Sequence, residues 1–471
     1  MNPTYNVSTM PLTWRHWWIV AVASLGQLVG TAVATIAGVI IPLINITRHP
    51  ELSSWMQGLI GAADLAGIMI GSVIFGRLSD RYGYLLFFRL CPAILLISAV
   101  VAALCNSVTI LIVCLFFIGI GIGGEYSLDS DYVSELMPSD RRQMMIGVTK
   151  TASALGNIIA AALSLAWLTI WHDAADWRQL MWIIAGIGAL MFLLRIRFYQ
   201  SPKWLLDHGR PQEAERAVKA FLGNDVELED VVAESRKTEK NIRASLVKQA
   251  PEGDHYAAPK LSLKEIVLTG VPWACEGLGV YGIGVFIPVL VMALGIGHFG
   301  ADAAPTAHVI ESVKNTLYIS CIILPGFLIG VWLTGRKASA PKLQIVGFTA
   351  CALSLTLLLL SYHFGWASWI SLVAFMAFEL FLNIGPHLVT YLLPPMVYPV
   401  EVRGQGTGIA ASMGKFGAVL GVFVVPLMLK AGGAVLVLGV SAGVMLLGAI
   451  VTAIFAPLVI ARGTRRGQAF L

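Results

Sequence analysis

Acidic side chains interrupt one of the most apolar stretches of the chain, residues 108–136. Glu125, Asp129 and Tyr132 follow one another at spacings of four and three, so a helix carries them on one face. An ionisable side chain at the centre of a membrane costs about 2.5–3.5 kcal/mol on insertion scales and is a functional candidate by default. We therefore predict that Glu125 and Asp129 bind a proton or a polar solute. Tyr126 is a candidate for lining the same site, with helix packing as the alternative.

Other ionisable residues lie in neighbouring apolar segments. Lys150 has two interpretations: a charge partner for the acidic residues of the 108–136 segment, or a contact for an anionic substrate. Asp64 lies early in an apolar, glycine-rich segment. The pattern is equally consistent with two roles for its side chain: to carry a proton, or to form a hydrogen bond between helices. Glu311 and Lys314 are three residues apart and predict an ion pair on the outward side rather than a substrate site.

Polar residues also recur at a helical spacing around residue 383. Glu379, Asn383 and His387 are each four residues apart, and we expect the face that carries them to point into a cavity, because lipid would penalise it. His387 is suited to titrate near physiological pH, and a histidine bonded between helices fits the pattern equally well. Trp273 and Tyr281 are candidate lining residues, with helix packing as the alternative.

Long apolar segments are the elements that must position these residues. Of the 471 residues, 57% are hydrophobic and 13% are charged, and the mean hydropathy is +0.77, whereas a soluble protein carries roughly 25% charged residues. A helix of about 20 apolar residues crosses a bilayer core. The sequence therefore predicts an all-α polytopic membrane protein with twelve spans, at approximately 17–41, 58–77, 86–105, 108–136, 144–171, 178–199, 264–294, 308–335, 343–363, 367–397, 405–429 and 434–461.

Basic residues are distributed unequally between the two ends of these spans. Twenty-six Lys and Arg residues lie on one side, eleven of them in residues 201–264, and three lie on the other. The positive-inside rule then places both termini and the central segment in the cytoplasm. The short loops favour a bacterial protein, so the bacterial inner (cytoplasmic) membrane is the expected location.

An internal repeat divides the chain in two. The pattern P-x-x-x-R ends at Arg142 and again at Arg403, and in both copies a glycine follows five residues later. Six predicted spans separate the copies, and parallel repeats of six spans are typical of two-half transporters. We predict an N-terminal six-helix half over residues 1–200, a cytoplasmic linker with a surface helix over 201–263, and a C-terminal six-helix half over 264–471.

Several motifs resemble those of the major facilitator superfamily. Residues 76–83 resemble its G-x-L-x-D-R-x-G signature, and residues 132–142 resemble the Y-x-x-E-x-x-P-x-x-x-R of its sugar-porter-like, metabolite–proton symporter branch. Residues 383–386 and 398–404 resemble the same branch, especially its phosphate and organic-ion members. The resemblance implies a major facilitator fold, with twelve transmembrane helices in two pseudo-symmetric halves. It also implies that Glu276 lies in the binding region.

The same resemblance implies gate ion pairs, which form in one conformational state and break in the other. Asp80 and Arg81 belong to this network by resemblance, and the spacing makes Arg142 the expected partner of Glu135. Arg403 is the counterpart of Arg142 in the second repeat.

Together these patterns predict a secondary active transporter that moves a small polar organic solute by alternating access, as a proton symporter. Glu125, Glu276 and Asp64 are the candidate proton carriers, in that order. An organic acid or a sugar-like metabolite is the preferred substrate, and the acidic residues also suit an organic cation. The alternatives are a proton-coupled exporter of drugs or metabolites, and a membrane sensor that does not transport.

No enzymatic activity, cofactor or metal is predicted, because the acids in the spans form no nucleophile–base arrangement and have no metal-ligand spacing. The expected partners are the small-molecule substrate, protons and the lipid bilayer. Nucleic acid is not among them, because topology accounts for the basic residues. We expect the protein to function as a monomer.

Overall fold

We describe a computed structural model of the chain over residues 11–47, 51–138, 141–171, 177–223, 261–296, 305–336, 339–398 and 403–465. Every regular element in these ranges is helical. Ten helical stretches are long and apolar enough to cross a membrane, the last of them 54 residues long, and a shorter apolar helix accompanies them. Each of the twelve predicted spans coincides with helix, so the prediction of an all-α polytopic membrane protein is confirmed.

The first six crossings are single helices. They are α1 (Trp14–Thr47), α2 (Ser54–Tyr82), α3 (Tyr84–Leu104), α4 (Val108–Leu136), α5 (Arg142–Trp171) and α6 (Gln179–Arg195). Their apolar sequences form helices because a segment surrounded by lipid must satisfy all its backbone hydrogen bonds internally. Of the α1 span, 83% is buried inside the protein, against 39% for α3. The helix α1 therefore lies in the interior, and α3 lies at the lipid-facing periphery.

Two short helices follow α6, namely α7 (Pro202–Asp207) and α8 (Pro211–Leu222). The Ser201 hydroxyl accepts a hydrogen bond from the backbone N–H of Trp204 and caps α7. The apolar face of α8 buries Val218 and Phe221 in the same cluster as the start of α1. On its exposed face, Lys219 donates to Glu215 over 2.5 Å, and this interaction lowers the pKa of the Glu215 carboxyl.

Several of the last six crossings are interrupted helices. The seventh consists of α9 (Leu263–Gly277), a π-helical turn (Leu278–Ile283) and α10 (Ile287–Ala293); the others are α11 (Pro305–Cys321) with α12 (Ile323–Gly335), α13 (Ala340–His363), and α14 (Ser368–Ile384) with α15 (Pro386–Val397). Pro386 accounts for the break before α15, because proline has no N–H to donate to the preceding turn and is favoured at the first position of a helix.

The chain ends with α16 (Arg403–Arg465), which contains two crossings. Gly432 and Gly433 lie between the two crossings, and both have non-helical backbone angles. The φ of Gly433 is 64°, a value that glycine adopts without steric cost. We refer to residues 403–431 as the first arm of α16 and to residues 434–465 as its second arm.

Glycines of α4 allow α2 to approach its backbone closely. A Cβ atom at Gly119 would collide with the carbonyl oxygen of Asp64, and one at Gly123 with the carbonyl oxygen of Ile68. Small residues are the usual means of close helix packing in membranes. This contact fixes the position of Asp64 relative to α4.

The two halves of the protein meet tightly at the end of the bundle away from α7 and α8. Gly38 of α1 packs against the carbonyl oxygen of Val285, and Gly58 of α2 packs against that of Phe423 in the first arm of α16. The rings of Trp55 and Phe423 also meet there, with centroids 4.7 Å apart. These contacts close the bundle at that end.

Candidate transport site

Two lysines approach one aromatic ring from opposite halves of the protein. The Nζ atom of Lys150, on α5, lies 5.0 Å from the ring centroid of Tyr126, and the Nζ atom of Lys415, on the first arm of α16, lies 5.3 Å from the same centroid. Lys150 also lies over the ring of Tyr391, at 4.7 Å, and Lys415 over that of Tyr281, at 4.8 Å. We call these five residues the lysine–tyrosine cluster.

Neutral groups satisfy the two ammonium groups. Lys150 donates to the side-chain oxygen of Gln27 over 2.8 Å, and Lys415 donates to the Tyr281 hydroxyl over 3.3 Å. Among the described residues, no carboxylate oxygen lies within 4.0 Å of either nitrogen. Aromatic faces and neutral oxygens therefore hold two cations near the centre of the protein.

Trp273 and Tyr391 form a second aromatic pair beside this cluster, with ring centroids 5.7 Å apart in an edge-to-face arrangement. A Cβ atom at Gly414, the residue before Lys415, would collide with the Trp273 ring. The structure thus brings together Tyr126, Trp273, Tyr281 and Lys150, which the sequence singled out separately. Their role in binding stays a prediction.

Glu276 and His387 form the closest carboxylate–histidine contact of the described residues. The imidazole Nδ1 donates to Oε1 of Glu276 over 2.5 Å, and the carboxylate is almost fully buried. Phe327 packs edge-on against the imidazole, with centroids 5.0 Å apart. Glu276 lies two residues before the π-helical turn, and π-bulges are frequent at functional sites.

The predicted face of Glu379, Asn383 and His387 is not continuous. Helix α14 ends at Ile384, and His387 belongs to α15, which begins after Gly385. Asn383 is buried and donates through Nδ2 to the backbone oxygen of Glu379 over 2.7 Å and to its carboxylate over 3.4 Å. Asn383 lies against Gly326 and His387 packs on Phe327, both on α12, and the expectation that this face points into a cavity stays a prediction.

Asp64 is a fully buried carboxylate on α2. Neither of its side-chain oxygens has a hydrogen-bond partner in the described part of the chain. Lys415 is the charged side chain that acts on it electrostatically. Of the two interpretations of Asp64, the hydrogen bond between helices is thus not observed, and a proton carrier stays a prediction.

Glu125 and Asp129 bind Arg195, one of the twenty-six basic residues that the topology prediction places on the cytoplasmic side. Arg195, at the end of α6, is completely buried and bonds to Glu125 through Nη1 and to Asp129 through Nη2, the latter over 3.2 Å. Its guanidinium lies 3.8 Å from the ring centroid of Phe88. We call Arg195, Glu125 and Asp129 the buried triad.

Glu125 thus pairs with Arg195, and Lys150 forms no ion pair with it but binds Gln27. A signal for Arg195 existed in the sequence, because it continues the buried stripe of Met181, Ile184, Gly188 and Met191 along α6 at spacings of three and four. Lys415 was also missed. It lies within a predicted span, so the argument applied to the acidic residues applies to it as well.

The predicted gate residues lie on described helices, but their side chains fall outside the part of the chain that the structure describes. These residues are Asp80, Arg81, Glu135, Arg142 and Arg403. Their ion pairs stay predictions. Beside the G-x-L-x-D-R-x-G motif, the side-chain oxygen of Gln200 accepts a hydrogen bond from the backbone N–H of Leu85 over 2.9 Å. This contact joins the end of the first half to the start of α3.

Comparison with known proteins agrees with this architecture. The family described as "Sugar (and other) transporter" matches residues 3–465. Twelve crossings in two halves around an ionisable centre define a secondary transporter with the major facilitator fold. The chain belongs to the sugar (and other) transporter family, and the resemblance noted in the sequence is confirmed.

Three curated relatives are transport proteins or permeases that match most of this chain. The chain is 26% identical to the inner membrane metabolite transport protein YgcS of Escherichia coli strain K12, over 95% of this chain and 93% of that protein. It is 24% identical to the niacin transporter NiaP of Acinetobacter baylyi, over 92% of this chain and 91% of that protein. It is 24% identical to a repressible high-affinity phosphate permease of Neurospora crassa, over 88% of this chain and 78% of that protein.

Among solved structures, the chain resembles the xylose transporter XylE of Escherichia coli in a partially occluded inward-open conformation. The TM-score is 0.75, with 17% sequence identity over 94% of this chain and 98% of that one. This likeness concerns the fold. The protein is an integral, multi-pass membrane protein and a secondary active transporter of small organic solutes.

Proposed function

We propose that the protein is a proton symporter that carries a small polar organic solute into the cell, with the lysine–tyrosine cluster at its binding site. One observation carries this proposal: Lys150 and Lys415 reach the same Tyr126 ring from opposite halves. In this fold the two halves rock against each other around a central site. The binding of a solute to both lysines therefore depends on the relative position of the two halves.

Three groups of buried acids supply candidate proton sites. Asp64 has no hydrogen-bond partner in the described ranges, so its charged form is poorly stabilised and a proton would neutralise it. Glu276 shares a hydrogen bond with His387. In the buried triad, two carboxylates face one guanidinium, so one more proton balances the charge of Glu125 and Asp129.

The contacts at Gly38 and Gly58 close one end of the bundle, and we propose that this end faces away from the cytoplasm. Both termini and residues 201–263 would then lie in the cytoplasm, with six-helix halves over residues 1–200 and 264–471. The bacterial transporters among the relatives support the inner membrane as the location. We propose that one chain suffices for transport.

The test is proton flux in proteoliposomes that contain a pH-sensitive dye. The purified protein is challenged with pools of sugars, organic acids, phosphate and organic cations. Acidification of the interior by one pool, lost in Asp64→Asn, Glu276→Gln or Glu125→Gln, is the expected result. Glu311→Gln is the matched control, because Glu311 pairs with Lys314 over 3.3 Å on α11, away from the cluster.

Two outcomes would overturn the proposal. Counterflow of a labelled solute without any proton movement would reject proton coupling and leave facilitated diffusion or exchange. Proton movement opposite to that of the solute would identify an exporter instead.

A further inference from the structure

We propose that the transported solute is a small planar organic anion, an aromatic carboxylate, bound between Lys150 and Lys415. This inference rests on the proposed function and specifies its substrate class. It follows from the charges, the aromatic surfaces and the positions of the two lysines in the lysine–tyrosine cluster.

The first argument is the charge of the cluster. Most carboxylates near the centre are already engaged by another positively charged or protonatable group: Glu276 by His387 over 2.5 Å, and Glu125 and Asp129 by Arg195. Asp64 acts on Lys415 without contacting it within 4.0 Å.

The two ammonium groups are therefore not neutralised by direct contact with an acid in the described ranges. A bound anion would supply that contact through charge-assisted hydrogen bonds, which are stronger than those of neutral groups. An organic cation would meet two like charges, and an uncharged sugar would leave both cations without a counter-charge.

The second argument is the aromatic surface. Tyr126, Tyr281 and Tyr391 present ring faces to the two ammonium groups. Trp273 lies edge-to-face against Tyr391. Flat aromatic walls with a few polar groups are typical of sites for small planar ligands, because rings stack on one another while the polar groups fix the orientation.

The third argument is the position of the lysines. Both Nζ atoms lie near one ring centroid, so they are no farther apart than the sum of the 5.0 Å and 5.3 Å distances. The two charges are therefore close enough to act together on one small anion bound near the Tyr126 ring. Because Lys150 belongs to the first half and Lys415 to the second, such an anion would bridge the two moving parts of the transporter.

The experiment measures counterflow of labelled benzoate by the purified protein in liposomes without a proton gradient. Benzamide, benzylamine and xylose serve as unlabelled competitors; the first two resemble benzoate in shape and differ in charge. We expect benzoate exchange that unlabelled benzoate inhibits and that none of these three compounds inhibits. Lys150→Gln and Lys415→Gln should each reduce it at least about tenfold, whereas Lys314→Gln, at a partly exposed ion pair of α11, should not change it.

Charge-reversal variants distinguish the loss of the anion site from misfolding of the protein. Lys150→Glu and Lys415→Glu should lose benzoate exchange and acquire counterflow of labelled benzylamine, a gain that a misfolded protein cannot produce. No benzoate exchange by the wild-type protein, or full exchange in both Lys→Gln variants, would overturn the inference.

The same assay separates this inference from the proposed function. Benzoate exchange without acidification of the interior would reject proton coupling and keep the anion site. Acidification driven by xylose or benzylamine, without benzoate exchange, would reject the anion site and keep proton symport.

Discussion

The imidazole of His387 donates to the carboxylate of Glu276 over 2.5 Å and joins two helices at their interruptions. Glu276 lies in α9 just before the π-helical turn, and His387 lies in α15 just after Gly385. Interrupted helices are the segments of transporter folds at which substrates and coupling ions bind. The contact therefore ties together two interrupted crossings of the second half.

Breaking this contact should have a strongly non-additive effect on transport. We expect Glu276→Gln and His387→Gln each to slow initial uptake about tenfold, and the double variant to be little slower, because either change alone removes the interaction. The coupling energy from the double-mutant cycle should fall within about 0.5–3 kcal/mol. The control cycle is Glu311→Gln with Lys314→Gln, a partly exposed pair for which at most about 1 kcal/mol is expected. Additive losses at Glu276 and His387 would show that the contact is incidental.

Replacing Arg195 should destabilise the protein more than replacing the whole buried triad. Arg195→Met leaves the buried carboxylates of Glu125 and Asp129 without their cation, and removing one partner of a buried pair costs about 3–5 kcal/mol. Adding Glu125→Gln and Asp129→Asn removes the unpaired charges and should restore much of the loss. The measurement is the apparent melting temperature in detergent. Equal melting temperatures for the single and triple variants would contradict this account.

Asp64→Asn should separate exchange from proton-driven accumulation. The amide has nearly the shape of the carboxyl group, so we expect counterflow to change by less than about threefold, because only a titratable group in the membrane interior is lost. Accumulation against a gradient should disappear, together with acidification of the interior. If Asp64→Asn still accumulates the solute, the proton is carried elsewhere, and Glu276 and the buried triad remain to be tested.

A side chain at Gly38 should open the closed end of the bundle. The Cβ atom of Gly38→Val would overlap the carbonyl oxygen of Val285, and such overpacking costs about 1–3 kcal/mol. In a variant without native cysteines, spin labels at the exposed positions Glu51 and Lys430 report the distance between the halves at this end.

We expect that distance to lengthen in Gly38→Val. It should stay unchanged in Gly443→Val, because nothing lies within 4 Å of a Cβ atom at Gly443. An unchanged distance in Gly38→Val would indicate that the Val285 backbone yields without separating the halves.

The sequence by itself determined the number of crossings and the family. Each apolar segment must be helical in lipid, since its backbone groups find no water to bond, and hydropathy along the chain locates these segments without any knowledge of packing. The acids within the spans were identified for the same reason, since a charge in the membrane interior is costly wherever it points. The motifs around residues 76–83 and 132–142 identified the major facilitator superfamily.

Only the tertiary structure decided which of these residues meet. Arg195 pairs with Glu125, 70 positions away in the sequence, and Lys150 binds Gln27, 123 positions away. Such contacts depend on how each helix is rotated and tilted against its neighbours, and local periodicity does not specify either quantity. His387, just after the break at Gly385, likewise contacts Glu276, 111 positions away in the sequence. The sequence thus located the charges, and helix packing determined their partners.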